Sequence, residues 1–413
     1  MSPTLRTFAL SAIVAASALV VPIPVALIAL GCLAVATAVD ARLVRDRPEV
    51  ERRLPPLVAR GVPLEIRVTV RPAARVQVRQ PRTDALDVEP GLGQGGLVCR
   101  LVANRRGRHD LPCVVTRRTG PLGLASWVHH HHEEVRVDVH PDLPSAWRLA
   151  RRVADGTFVE QGRVRGQLGL GTEFEYVREY SPDDDIRQVN WSATIRAERP
   201  MSNQYRLDSD REVICALDVG RLMTASVAGD RTRLDATLDA AVALGAVADA
   251  VGDRFGALTF DDRVRVNLAP RRRGGAAASV ALFDVQPSEV DSDYEVALRH
   301  VGSAKRALVV ILTDLLDEAA AATLLAEADI LCATHAVVIG SVVDPDEAAM
   351  LRSPPSSAAE VYRNDLLAED DELRNRVAAR LRHTGAVVVA AEPDRLASAV
   401  IAAYLRMKAR ARL

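Results

Sequence analysis

Lysine is nearly missing from the chain: Lys305 and Lys408 are the only two among 53 basic residues. Positive charge is therefore almost entirely arginine, a bias that records genomic base composition more readily than recognition. An excess of either sign is missing too, since the formal net charge is −1. A chain so balanced has no overall attraction to nucleic acid or to anionic lipid. The five cysteines, Cys32, Cys99, Cys113, Cys215 and Cys332, include no close pair and no CxxC, which leaves no zinc-ribbon or thioredoxin-type spacing. Cys215 and Cys332 fall in apolar, strand-like runs where a thiol packs as a small hydrophobe. Cys99 and Cys113 could meet in a sheet, and in a reducing compartment they stay thiols. The phosphate loop Gly-x-x-x-x-Gly-Lys-Ser/Thr is absent, so any ATP hydrolysis belongs to a partner.

What is present begins with length and core. At 413 residues, with 48% apolar and 26% charged residues, the chain suits two or three globular units. The most informative segment is Thr7 to Val39, 33 residues without a charge. That exceeds a secretory apolar core of about 7–15 residues and the roughly 20 needed to cross a bilayer as helix. Pro22 and Pro24 interrupt it in the sequence "VPIP", and each obstructs a continuous helix. The expectation is a hairpin of two short spans over residues 1–45; the alternatives are one kinked span, or a signal peptide cleaved near Ala36 and Ala38. Arg6 precedes the run, whereas Arg42, Arg45, Arg47, Arg52 and Arg53 follow it. The positive-inside bias then puts residues 45–413 in the cytoplasm, beneath the plasma (inner) membrane.

From Leu64 to about His140, "LEIRVTV", "RVQVR", "LVCRLV", "CVVTRR" and "EVRVDVH" alternate apolar with polar residues between Pro and Gly clusters. This period of two predicts a small antiparallel β-sandwich over 46–145. The run His129 to His132 would put two imidazoles on each face of a strand, with no carboxylate or Cys at fixed spacing to complete a metal site. It reads as a solvated strand end. After Val213 the pattern changes to apolar runs ("VICALDV", "FGALTF", "ALVVILT", "HAVVIG", "AVVVAA") separated by helical stretches. A mostly parallel sheet covered on both faces is expected over 212–413. Such sheets bind ligands beyond the carboxyl ends of their strands, and two of these ends carry Asp218 and Asp314.

Between the two regions lies a linking segment, 146–211, containing "VREYSPDDDIRQVNW", Val177 to Trp191. Ser181, Pro182, Asp183 and Asp184 have the order of a helix start: a Ser cap, Pro at the first position, then acids near the positive end of the dipole. On a helix from Pro182, Ile186, Val189 and Ala193 share one face, and Asp184, Arg187 and Trp191 share another. Arg178, Arg187 and Arg196 could pair with the aspartates or with Glu175 and Glu179. Nothing nearby supplies the pocket, nucleophile or oxyanion donors that an acid/base enzyme needs.

These residues resemble two known patterns. "ALDVGRLM" and "ILTDLLD" look like strand ends of a von Willebrand factor A domain. "VREYSPDDDIRQVNWSATIR" is similar to the signature of bacterial domain-of-unknown-function family 58, with Asp183 where Gly is usual. "NRRGRHDLP" and "GPLGLASW" resemble that family's upstream β region, and a membrane hairpin is its usual opening. The resemblance implies a Rossmann-like C-terminal domain and association with a MoxR-type AAA+ ATPase, and brings no catalytic activity. An A domain holds Mg²⁺ through Asp-x-Ser-x-Ser, a Thr and a second Asp, because this small hard ion wants six oxygens. The matching positions are Asp218, Gly220 and Leu222, with Asp314 as the second Asp. Two hydroxyl ligands are lost, so Asp218 and Asp314 read as a vestigial site with weak Mg²⁺ binding at most. Arg178, Asp184, Arg187, Trp191 and Arg196 are the candidate partner-binding residues. Two functions remain: a non-enzymatic, membrane-tethered adaptor for the ATPase, or a cation-dependent adhesion module facing outward.

Overall fold

The computed structural model describes residues 2–55, 57–133, 135–158, 173–181, 186–206, 210–227, 229, 231–301, 306–315 and 318–409. The chain folds as two compact units, Met1–Val139 and His140–Leu413.

In the first unit the apolar run forms two helices, Leu5–Ser17 and Ile23–Leu43, packed together and joined by a turn. Pro22 caps the second helix in an extended conformation and Pro24 lies in its first turn, where a missing N–H costs nothing. The prolines thus start a helix rather than kink one. Ile23–Leu43 is long and apolar enough to cross a membrane and is almost wholly exposed; Leu5–Ser17, at 13 residues, falls short of the roughly 20 that a bilayer core needs. Near the end of the long helix, Asp40 is fully buried. Its carboxylate accepts backbone hydrogen bonds from Leu122 (2.8 Å), Leu124 (2.8 Å) and Ala125 (3.0 Å), and the Trp127 indole donates to the carbonyl of Ala41 at 2.8 Å. "GPLGLASW" is therefore the loop that wraps this carboxylate. A Cβ on Gly120 would lie 2.2 Å from Asp40 Cγ, so only glycine fits there.

The rest of the unit is antiparallel sheet. One sheet runs in the order Glu49–Arg53, Leu64–Arg71, Gly96–Ala103, Leu86–Glu89; a second runs Ser2–Pro3, Ala125–His131, Val114–Thr119, Val76–Arg79, Leu92–Gln94; a third joins Val58–Ala59, Val135–His140 and Gly107–Leu111. Leu64–Arg71 alternates strictly between buried and exposed residues after its first position. Ile66, Val68, Val78, Leu86, Leu101 and Val139, drawn from all three sheets, meet in one core, as the period of two requires.

The second unit is built on a six-stranded sheet in the order Val264–Arg271, Arg254–Phe260, Glu212–Asp218, Leu308–Leu312, Ala336–Val342, Val387–Ala391. Only the Val264–Arg271 edge strand is antiparallel to its neighbour. Leu308–Leu312 and Ala336–Val342 are buried at every position, which is why their sequences show no alternation. Helix Arg233–Ala250, started by a Thr232/Asp235 capping box, is buried along most of its length and packs on Leu143–Ala154, Gly274–Leu282 and Pro393–Ala409. Gly245 and Gly275 bring two of these helices into backbone contact, since a Cβ on Gly275 would lie 2.2 Å from the Gly245 carbonyl. Cys332, read from its sequence as part of a strand, lies instead in helix Glu318–Thr334. The apolar run there spans both a helix end and the next strand, so composition alone hides the boundary. All five cysteines are free.

Candidate functional site

The order of the parallel strands reverses between Glu212–Asp218 and Leu308–Leu312, and the crevice beyond their carboxyl ends is where such a sheet takes ligands. Asp218 and Asp314 both lie there and both are buried. Asp218 Oδ1 accepts from the backbone N–H of Gly220 at 2.8 Å and from the Ser292 hydroxyl. Its Oδ2 accepts from Thr313 Oγ1 at 2.6 Å, and the buried Tyr294 hydroxyl stands 3.1 Å from Oδ2 and 2.6 Å from Thr313 Oγ1. Asp314 accepts from the Leu315 N–H at 2.7 Å and forms an ion pair with Arg233, itself buried. Arg374 continues the cluster, bonding Glu347 Oε2 at 3.2 and 3.3 Å and lying 4.0 Å from Asp314. A third carboxylate, Asp261, follows strand Arg254–Phe260 and is gripped by the Arg265 fork at 2.8, 2.8 and 2.6 Å. Burial alone would raise its pKa, but hydrogen bonds from Arg265 and other neighbours hold it well below the usual carboxylate range.

These residues do not fit a Mg²⁺ shell. Six oxygens at about 2.0–2.1 Å must turn their lone pairs to one point, whereas both oxygens of Asp218 accept from protein donors. A Cβ at Gly220 would sit 2.1 Å from Ser292 Oγ and 2.9 Å from the Val290 carbonyl. Ser292 thus fills the space that a serine ligand at 220 would enter, and Leu222 has no oxygen to offer. Among the described residues, no group of three or more His, Cys, Asp or Glu side chains is placed to hold a metal. That includes His129–His131, where alternation leaves His131 buried and His130 exposed.

The signature stretch forms a two-stranded ribbon, Glu173–Glu179 against Met201–Arg206, with a 3-10 turn Ile186–Gln188 and a short helix Trp191–Ala197 between the strands. Pro182, Asp183 and Asp184 lie outside the described residues, as does the side chain of Arg187. The described helix does not continue from Pro182 but starts at Trp191. Asn190 caps it, its Oδ1 accepting from Ala193 N at 2.9 Å while its Nδ2 donates to Asn203 at 2.8 Å. This changes the faces read from the sequence. Ile186, grouped by its spacing with Val189 and Ala193, is 72% exposed, and Trp191 and Ile195 are 67% and 77% exposed. Val189 and Ala193 are half-buried; Arg196 is exposed, and Arg178 is half-buried. Arg178 donates to the backbone carbonyl of Glu179 at 3.1 Å.

The model of the family described as "Protein of unknown function DUF58" matches residues 176–385, half of the chain. The chain belongs to the DUF58 family. Uncharacterized proteins of Mycobacterium tuberculosis (strain H37Rv) and Mycobacterium bovis are each 24% identical over 246 residues, covering 55% of this chain and 76% of the relative. Among solved structures, an uncharacterized membrane spanning protein from Vibrio fischeri aligns with a TM-score of 0.18 at 15% identity, over 32% of this chain and 71% of that one. A GH5 xyloglucanase from Bacteroides ovatus aligns with a TM-score of 0.17 at 12% identity, over 83% and 65%. Scores this low carry no argument about fold or activity.

The DUF58 match takes in most of the ribbon and the crevice. It therefore includes Arg233, Ser292, Tyr294, Glu347 and Arg374, none of which stands out in the sequence. One signal for Arg233 is present there: an arginine directly after the Thr232 cap stands at the positive end of its helix dipole, where cations are disfavoured. An arginine in that position needs an acid nearby, and Asp314 is that acid.

Proposed function

We propose that this DUF58 chain is a non-enzymatic, membrane-tethered adaptor whose C-terminal unit is a von Willebrand factor A-like domain docking a MoxR-type AAA+ ATPase in protein assembly or maturation. The observation that carries the reading is the exposure of Trp191 and Ile195 on a short helix of the family segment. Large apolar side chains grouped on a surface mark interaction sites, and tryptophan is among the residues that most often dominate interface energetics. The sheet order, with an antiparallel edge and aspartates at the reversal point, supports the A-type reading. Helix Ile23–Leu43 supports a membrane anchor, which we take to be a hairpin completed by the shorter Leu5–Ser17 with the bilayer thinned around it, and with the C-terminal unit in the cytoplasm. The internal partners of Asp218 and Asp314 count against the alternative of a cation-dependent adhesion module.

The test is association of the solubilised full-length chain with the ATPase, comparing wild type with Trp191→Ala/Ile195→Ser. Both side chains are exposed, so the variant is expected to keep its melting temperature and lose binding by tenfold or more, corresponding to at least about 1.4 kcal/mol. Unchanged binding by the folded variant rules out docking through this helix.

A further inference from the structure

We infer that Arg233 supplies, as a permanent part of the chain, the positive charge that an exchangeable divalent ion supplies in a von Willebrand factor A domain, so that this crevice is assembled without metal. The inference rests on the A-type reading of the sheet. Three observations on different residues converge. Ser292 occupies the room next to Gly220 and spends its hydroxyl on Asp218. Asp218 takes further donors from Gly220, Thr313 and the Tyr294–Thr313 pair. Asp314 faces the buried guanidinium of Arg233.

Charge balance closes the argument. Arg233 and Arg374 stand among Asp314 and Glu347, with Arg233 Nη2 4.0 Å from Glu347 and Arg374 bonded to it. Both carboxylates are thus already met by fixed cations. A divalent ion added beside Asp314 would be set against two guanidinium cations, Arg233 and Arg374, in a buried place where like charges repel strongly. Burial and the neighbouring Arg374 lower the Arg233 pKa, with Glu347, Asp344 and Asp370 opposing, yet a guanidinium stays charged throughout the physiological range. Unlike a bound ion, it cannot be chelated or exchanged. Recognition through this face would then be independent of divalent cations, and Arg233 would tie Asp314 to the start of its own helix.

Thermal unfolding of the full-length chain tests this with Mg²⁺ and EDTA as the probes, and a double-mutant cycle tests the pair. The wild-type Tm is expected to be unmoved by either reagent. Arg233→Met leaves Asp314 buried and uncompensated and is expected to lower Tm by about 10 °C. Adding Asp314→Asn to it removes the orphaned charge and is expected to restore much of the loss. A saturable rise of the wild-type Tm with Mg²⁺ would overturn the inference, and so would a double variant whose loss equals the sum of the two single ones. If Arg233→Met does not fold, the wild-type titration still decides whether metal binds, and recovery of folded protein in the double variant still decides whether the two charges are coupled. Neither readout involves Trp191 or an ATPase, so failure here is distinguishable from failure of the docking face.

Discussion

His131 sits in its strand with both ring nitrogens assigned by their neighbours. Nδ1 accepts from Arg47 Nε at 3.3 Å, and Nε2 lies 2.9 Å from Thr116 Oγ1, so the ring is neutral with its proton on Nε2. Burial lowers its pKa, and Arg47, His129 and His130 add to this, to about 4. The folded value is below the ordinary one near 6.5, so the stabilising contribution is complete above about pH 6.5 and is lost as pH falls toward 4. The loss amounts to about 3 kcal/mol at most. Protection factors of the amides in strand Val114–Thr119, corrected for the intrinsic slowing of exchange in acid, should therefore fall between pH 6.5 and 4 much more in wild type than in His131→Gln. Parallel curves for the two proteins would dismiss this histidine as a pH-sensitive position. The sequence alone shows four consecutive imidazoles and, by alternation, their division between faces. It does not show that Arg47 and Thr116, 84 and 15 residues away, make one of them a buried structural group.

At the scale of elements, helix Ala358–His383 is uneven. Its 26 residues reach about 39 Å, but Val377, Ala378 and Leu381 near its end are its buried residues, whereas Val361, Tyr362 and Leu366 are 52%, 75% and 64% exposed. Arg374, tied to Glu347, marks the point where the helix joins the sheet layers. Few buried apolar contacts mean low local stability. Native-state hydrogen exchange should be fast before about residue 370 and slow from 377 to 383; uniform protection along the helix would show that the first half is covered. This asymmetry explains what was legible. Strands Glu212–Asp218 and Leu308–Leu312 and helix Tyr294–Val301 follow directly from apolar runs and spacing, because burial imposes those patterns. Helix Pro345–Arg352 has no buried residue and so no stripe to read. The helix at Trp191 begins where Asn190 finds Ala193 and Asn203, a choice made by a strand that returns only at Met201. In the crevice, Asp218 and Asp314 were legible as strand ends, while their partners Tyr294 and Arg233 come from helices that only the fold brings near.

For the whole molecule, orientation is the property to settle. Arg42, Arg45, Arg47, Arg52 and Arg53 follow the long apolar helix, but three of them bond within the folded unit: Arg47 donates to His130 O at 2.7 Å, Arg52 to Pro112 O at 3.0 Å and Arg53 to Glu51 Oε1 at 2.8 Å. Burial lowers the Arg52 pKa, opposed by Glu133, without removing its charge. Positive-inside bias acts as the chain inserts, before those contacts exist, so all five are expected to count. Protease added outside intact spheroplasts should leave the C-terminal unit uncut. Cleavage from outside would overturn the cytoplasmic orientation and with it the adaptor reading.

The clasp around Asp40 bears on mechanics. A helix joined to a folded unit by a loose linker lets that unit wander through a volume set by linker length. Here the helix end is pinned by three N–H bonds to one carboxylate and a fourth from an indole, with no room at Gly120 for a side chain beside that carboxylate. Helix end and β unit are therefore joined by fixed bonds rather than by a free tether. Were the helix to tilt to match a thicker or thinner bilayer, the bonds at Asp40 and Ala41 would pass that tilt on to the strand that begins at Ala125, a route from lipid thickness to the β unit that a loose linker would not provide.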